Sequence, residues 1–80
     1  YNNKGNSLHY LLKYEEAIKC YDKAIELNPN NFNIYNNKGN SLYSLLKYEE
    51  AIICYDIAIE LNPNDSIIYN NITEMIEAIN

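Results

Sequence analysis

Apolar and small residues recur along this chain at helical spacing, and the spacing itself repeats. Tyr1, Gly5, Leu8 and Leu12 fall at i, i+4, i+7 and i+11, which lines them along one side of a helix. Tyr14, Ala17, Ile18, Tyr21, Ala24 and Ile25 carry the same period through a second helix. Asn28-Pro29-Asn30-Asn31 ends it, because a residue before proline avoids the helical region and asparagine tolerates left-handed backbone. The connection around Leu12-Lys13 is too short for anything but an antiparallel pair. Tyr35 to Ile68 copies this plan, with a turn at Leu46-Lys47 and a stop at Asn62-Pro63-Asn64-Asp65. Tyr69-Asn70-Asn71 opens a further copy, whose seam is Tyr69, Ile72, Ile76 and Ile79, widened by Met75 and Ala78. The pattern predicts an all-α chain of five helices.

Tyr1–Ile34 and Tyr35–Ile68 agree at 27 of 34 positions. A unit this short cannot bury its own apolar face and must stack on its copies, so the period predicts a solenoid of helix pairs rather than an enclosed globule. The expected divisions are 1–34, 35–68 and a partial unit, 69–80, within one domain. Since the chain begins inside one repeat and ends inside another, it reads as a segment of a longer array. Gly5 and Gly39 cost roughly 1 kcal/mol each in mid-helix relative to alanine, so close helix approach is the better account of them. In this scheme Gly5 faces Ala17 and Ala24, with Tyr1, Tyr14 and Tyr21 filling the gaps.

With these residues the chain resembles the tetratricopeptide repeat family. The family's sequence of aromatic, Gly, Leu or aromatic, Ala, aromatic, Ala and Pro is met by Tyr1, Gly5, Leu8, Ala17, Tyr21, Ala24 and Pro29. It is met again by Tyr35, Gly39, Leu42, Ala51, Tyr55, Ala58 and Pro63. Three departures stand out: Lys4 and Lys38 where the family usually has Leu, Leu12 and Leu46 at the inter-helix turn where Gly is common, and Thr73 for Gly. The lysine stems are expected to lie on the apolar seam with the ammonium lifted to solvent. The resemblance implies a right-handed superhelix whose first helices line a concave groove, and a role in protein interaction without catalysis.

On a helical wheel the side of the first helices opposite the Gly and Leu seam is polar. It carries Asn2, Asn3, Asn6, His9 and Tyr10, then Asn36, Asn37, Asn40, Tyr43 and Ser44, then Asn70, Asn71, Glu74 and Glu77. An amide offers both donors and an acceptor, so a row of them suits the backbone of an extended peptide. Some peptide-gripping arrays of the family carry asparagine where Asn3, Asn37 and Asn71 stand. The bland alternative is that asparagine richness reflects coding bias and the row is solvated filler. Lysine-lined grooves for acidic chain ends are a poor match, since arginine is absent and the net charge is −5.

The same charge, with a pI near 4.6, argues against nucleic acid or an anionic membrane as partner. Cys20 and Cys54 are equivalent positions about one helix spacing, 8–10 Å, apart, beyond disulfide reach. They are expected as free thiols in a reducing compartment, which predicts a cytoplasmic protein. Catalysis has no candidate: His9 is the single histidine, its counterpart is Tyr43, and Glu15-Glu16 and Glu49-Glu50 read as solvated helix starts favoured by the macrodipole. No metal or cofactor motif is present. Repeat two replaces Lys19 and Lys23 by Ile53 and Ile57, an apolar pair at i, i+4 that with Ile67 needs a cover. A rival reading is therefore a self-associating element using Ile53, Ile57, Ile72, Met75 and Ile79. A third is the docking arm of a larger enzyme.

Overall fold

A computed structural model describes the backbone of residues 3–79 and the side chains of residues 13–79. Those residues form four helices and no strand: α1 (Asn3–Leu27), α2 (Phe32–Ser44), α3 (Tyr48–Leu61) and α4 (Ser66–Ile79). Five helices were expected, and the difference lies in the first repeat. There the turn foreseen at Leu12-Lys13 does not form, and α1 runs straight through it.

The second repeat indicates why. Its turn is a Schellman closure: Lys47 N–H donates to the Leu42 carbonyl and Leu46 N–H to that of Tyr43, both at 2.9 Å. Leu46 must then sit at φ 64°, the left-handed region usually left to glycine. A residue with a Cβ is strained there by roughly 1–2 kcal/mol. In repeat two the strain is offset by packing, because α2 is in contact with α1, α3 and α4. Leucine is a good helix former, so the unstrained alternative at Leu12 is to continue the helix.

Helix starts follow local chemistry. Asn31 caps α2 by accepting the Asn33 N–H at 3.0 Å, and Asp65 accepts the Ile67 N–H at 2.9 Å at the start of α4. These caps begin both helices ahead of Tyr35 and Tyr69. Glu49 and Glu50 occupy the first turn of α3, where the dipole favours them.

The buried core comprises Leu42, Ala51, Cys54, Tyr55, Ala58, Ile68 and Met75. Its tightest point is Gly39. A Cβ there would lie 2.6 Å and 2.8 Å from Tyr55 Cε1 and Cδ1, so only glycine admits the ring. The glycine therefore faces the tyrosine of the partner helix, not the alanines that the wheel had placed opposite it.

Several outward and inward assignments change. Met75, expected only to widen the seam of α4 and named for self-association, is fully buried, and so is Ile68; Ile72 packs on the core while Tyr69, Ile76 and Ile79 are exposed. The helix is thus rotated relative to its expected seam, because Ile68, Ile72 and Met75 form a better i, i+4, i+7 stripe than the set that begins at Tyr69. Ile53 is 59% exposed, as the lysine it replaces would be, but Ile57 is half-buried. Lys38 does not lift its ammonium free into solvent: it pairs with Asp22 and ties α2 to α1. Both cysteines are free, Cys54 buried and Cys20 exposed.

Candidate functional site

Asn36, Asn37, Asn40 and Tyr43 lie at i, i+1, i+4 and i+7 on α2, and Asn70, Asn71 and Glu74 occupy α4. Asn2, Asn3, Asn6, His9 and Tyr10 lie outside the residues whose side chains are described. The two described segments of the row are joined directly. Asn71 donates through Nδ2 to Asn36 Oδ1 at 2.9 Å, bridging α4 and α2. Asn36 is buried, so its first task is this tie between helices rather than contact with a ligand. Wheel reasoning could not see it, because the angle at which α4 meets α2 decides which asparagines touch.

Asn40 is held from below. The hydroxyl of Tyr55, itself fully buried in α3, donates to Asn40 Oδ1. Burial pushes the Tyr55 pKa up to about 12, helped by repulsion from Tyr43, Cys54 and Glu74. The phenol consequently keeps its proton over any ordinary pH and remains a donor. That fixes the amide: Asn40 turns its oxygen inward, leaving its NH₂ group for the other side. Asn37, Asn70 and Glu74 are exposed beside it, Asn71 and Tyr43 half-exposed. Tyr43 also meets Tyr48 across the turn, with ring centroids 6.0 Å apart.

The face therefore offers the Asn40 NH₂ group, oriented by an interior hydrogen bond, the Asn71 amide anchored through its own NH₂, an exposed carboxylate and an aromatic edge. No buried side-chain N or O among the described residues lacks a partner, so the network is closed on its inner side. Two open clefts lie elsewhere. One, of about 410 Å³, is lined by Leu46 to Glu50; the other, of about 290 Å³, lies among Glu15, Ile18, Asp22, Lys38, Leu42 and Glu50. Neither is lined by an asparagine of the row. Among the described residues no cluster of His, Cys, Asp and Glu could hold a metal, and no helix is long and apolar enough to cross a membrane.

A second group of exposed side chains is apolar. Ile53, Ile67, Ile76 and Ile79 are 59%, 61%, 47% and 48% exposed on α3 and α4. Repeat one carries Lys19 and Asn33 at the first two of these positions.

Residues 5–45 match a family pattern described as TPR repeat, and residues 32–65 one described as Tetratricopeptide repeat. The chain is also similar to Protein STIP1 homolog of Dictyostelium discoideum, 43% identical over 35 residues. That stretch is 44% of this chain and 6% of the relative, so the chain spans only a small part of the protein it matches.

Proposed function

Because the chain belongs to the tetratricopeptide repeat family and is thereby a protein-interaction module, we propose that it grips an extended peptide through the asparagine row. Asn37, Asn40 and Asn71 would meet the peptide's main chain, with Tyr43 and Glu74 at the margin and Asn70 beside them. Asn36 serves by holding α4 at the right distance. The three amides of repeat one, Asn2, Asn3 and Asn6, with His9 and Tyr10, would extend the row.

The observation that carries this reading is the Tyr55–Asn40 hydrogen bond. An amide pinned from inside has already lost its rotamer freedom, so binding costs less ordering than on a row of free side chains. Its outward NH₂ donates, which suits the carbonyl oxygens of a peptide backbone and reads no side chain. Selectivity would come from charge: Glu74 and the net charge of −5 favour a peptide carrying lysine or arginine and repel an acidic one.

The test is a titration of the isotope-labelled chain with pools of unstructured peptides, one basic and one acidic, followed through the asparagine side-chain amide signals. The basic pool should move Asn37, Asn40 and Asn71, and Asn37→Ala should weaken binding with no change in thermal midpoint, since Asn37 is exposed. Asparagine signals that neither pool moves would refute the reading.

The exposed isoleucines favour a second reading, a self-associating element. Ile53→Lys with Ile67→Asn, the residues of repeat one, should then lower the mass measured by light scattering. A docking arm within a larger enzyme is compatible with either surface.

A further inference from the structure

Residues 14–27 and 48–61 differ only at Lys19/Ile53 and Lys23/Ile57, so α1 and α3 carry the same stripe of small residues around one tyrosine. In α3 that stripe is covered: Ala51, Tyr55 and Ala58 are wholly buried and Cys54 nearly so. In α1 it lies open, with Ala17, Tyr21 and Ala24 half-buried and Cys20 exposed. The stripe is not the face that α1 turns to α2, which is marked by Ile18 against the core and Asp22 paired with Lys38. At about 100° per residue the two faces stand well apart around the helix axis.

The matching half is on α4. Tyr69, Thr73 and Ile76 stand one 34-residue period after Tyr35, Gly39 and Leu42. In α2 that set covers the α3 stripe: Gly39 admits the Tyr55 ring, Leu42 is buried and Tyr35 packs on the same core. In α4 Tyr69 and Ile76 are 45% and 47% exposed, and Thr73 is exposed as well. The helix uses its other side, Ile68, Ile72 and Met75, to dock on the body of the chain. An open stripe at one end of the described chain and an open helix face of the type that covers it at the other thus flank a covered example of the same contact.

We propose that copies of this chain assemble head to tail, α4 of one seating on Ala17, Tyr21 and Ala24 of the next as α2 seats on α3. Such a contact joins two different surfaces, so every assembly keeps one free stripe and one free helix and growth does not stop at two. The straight course of α1 leaves the stripe accessible. Because α2 ends at the Leu46 turn beside the start of α3, a seated α4 ends beside Tyr14, and the earlier part of α1 runs on past it along the axis. The fit has one mismatch: Thr73 brings a Cβ to the place of Gly39, where a Cβ stands 2.6 Å from a ring carbon of the tyrosine. Tyr21, unlike Tyr55, has room to give way, being half-exposed. The joint is therefore weaker than the α2–α3 contact, and the charge of −5 on each copy weakens it further. It is separate from the asparagine row and shares only Ile76 with the exposed isoleucines.

The experiment is light scattering behind gel filtration on the whole chain, over a concentration series at low and high salt. The mass should rise past twice 9.3 kDa without a plateau, and should do so at lower concentration when salt screens the charge. Ala24→Arg blocks the stripe and Ile76→Lys the helix face; both positions are partly exposed, so both variants should fold, with the helical signal as the check. Each variant alone should stay at 9.3 kDa. Mixed in equal amounts they should give a pair and nothing larger, since the intact α4 of the first fits the intact stripe of the second. Ile53→Lys with Ile67→Asn should leave growth unchanged, which separates this joint from association through those isoleucines. In a mixture of labelled and unlabelled wild-type chains, intermolecular contacts should link the Thr73 methyl to the Tyr21 ring, a readout that needs no variant. A chain that stays monomeric at high concentration and salt, a single blocked variant that still grows, a mixture of the two that does not pair, or growth abolished by Ile53→Lys with Ile67→Asn would overturn the head-to-tail joint.

Discussion

Two positions in repeat two hold opposite kinds of strain. At Gly39 the constraint is space: a methyl group would sit within 2.8 Å of two Tyr55 ring carbons, and that ring is enclosed on all sides. Gly39→Ala should therefore destabilise by about 1–3 kcal/mol despite alanine's better helix propensity. The check is the thermal midpoint, which for a chain this small should fall by roughly 4–8 °C per kcal/mol. At Leu46 the constraint is backbone: φ is 64° and the side chain is 68% exposed, so little packing is lost on removing it. Leu46→Gly relieves the left-handed strain of roughly 1–2 kcal/mol, part of which returns as extra unfolded-chain entropy. A net gain of about 0.5–1 kcal/mol is expected in urea unfolding. A loss would mean that Leu46 packs against something in solution that its exposure does not reveal.

Among the elements, α4 depends most on its ends. It touches α3 sparsely and α2 less still, and its links beyond apolar packing are the Asp65 cap, the Tyr69 hydroxyl donating to the Pro63 carbonyl, and the Asn71–Asn36 bond. Asp65→Ala should cost about 1 kcal/mol, appearing first as faster amide exchange along Ser66–Asn70 than in α2. The helices themselves were legible in the sequence because apolar period, proline stops and caps all act within a few residues. Two features were not. That the turn expected at Leu12-Lys13 gives way to continuous helix was invisible because Leu11-Leu12-Lys13-Tyr14 and Leu45-Leu46-Lys47-Tyr48 are the same letters, and context beyond them chooses between helix and turn. The rotation of α4 that buries Met75 and pairs Asn71 with Asn36 was hidden for a related reason, since crossing geometry belongs to two elements at once. Hence the asparagine row could be listed from a wheel, while the division between amides that tie helices and amides left outward required the fold.

At the scale of the whole molecule, the three groups among the described residues with resolved pKa shifts all move the same way. Burial raises the Cys54 thiol above its ordinary 9.0, and outweighs the lowering pull of Lys38. Burial raises Tyr55 from 10.0 to about 12. Burial alone would lower Lys38, but the hydrogen bond from its ammonium to Asp22 and the charges of Cys54, Asp22 and Glu50 carry it above 10.5. A group whose pKa is higher folded than unfolded binds its proton more tightly in the fold, so its contribution is complete below the unfolded value and disappears as pH climbs through the folded one. None of the three offsets another. Stability should accordingly begin to fall just above pH 9, as unfolded chains start to lose the Cys54 proton, and fall most steeply between about 10 and 12, where Tyr55 titrates in the unfolded chain before the folded one. Urea midpoints measured from neutral pH upward would trace this curve. Tyr55→Phe, which deletes both the Asn40 hydrogen bond and the titrating group, should lower the midpoint at neutral pH by an amount corresponding to about 1 kcal/mol and flatten the curve between pH 10 and 12. An unchanged slope in that variant would mean that the Tyr55 phenol is reached by hydroxide in the folded state, and the inward anchoring of Asn40, on which the orientation of the amide face depends, would fail with it.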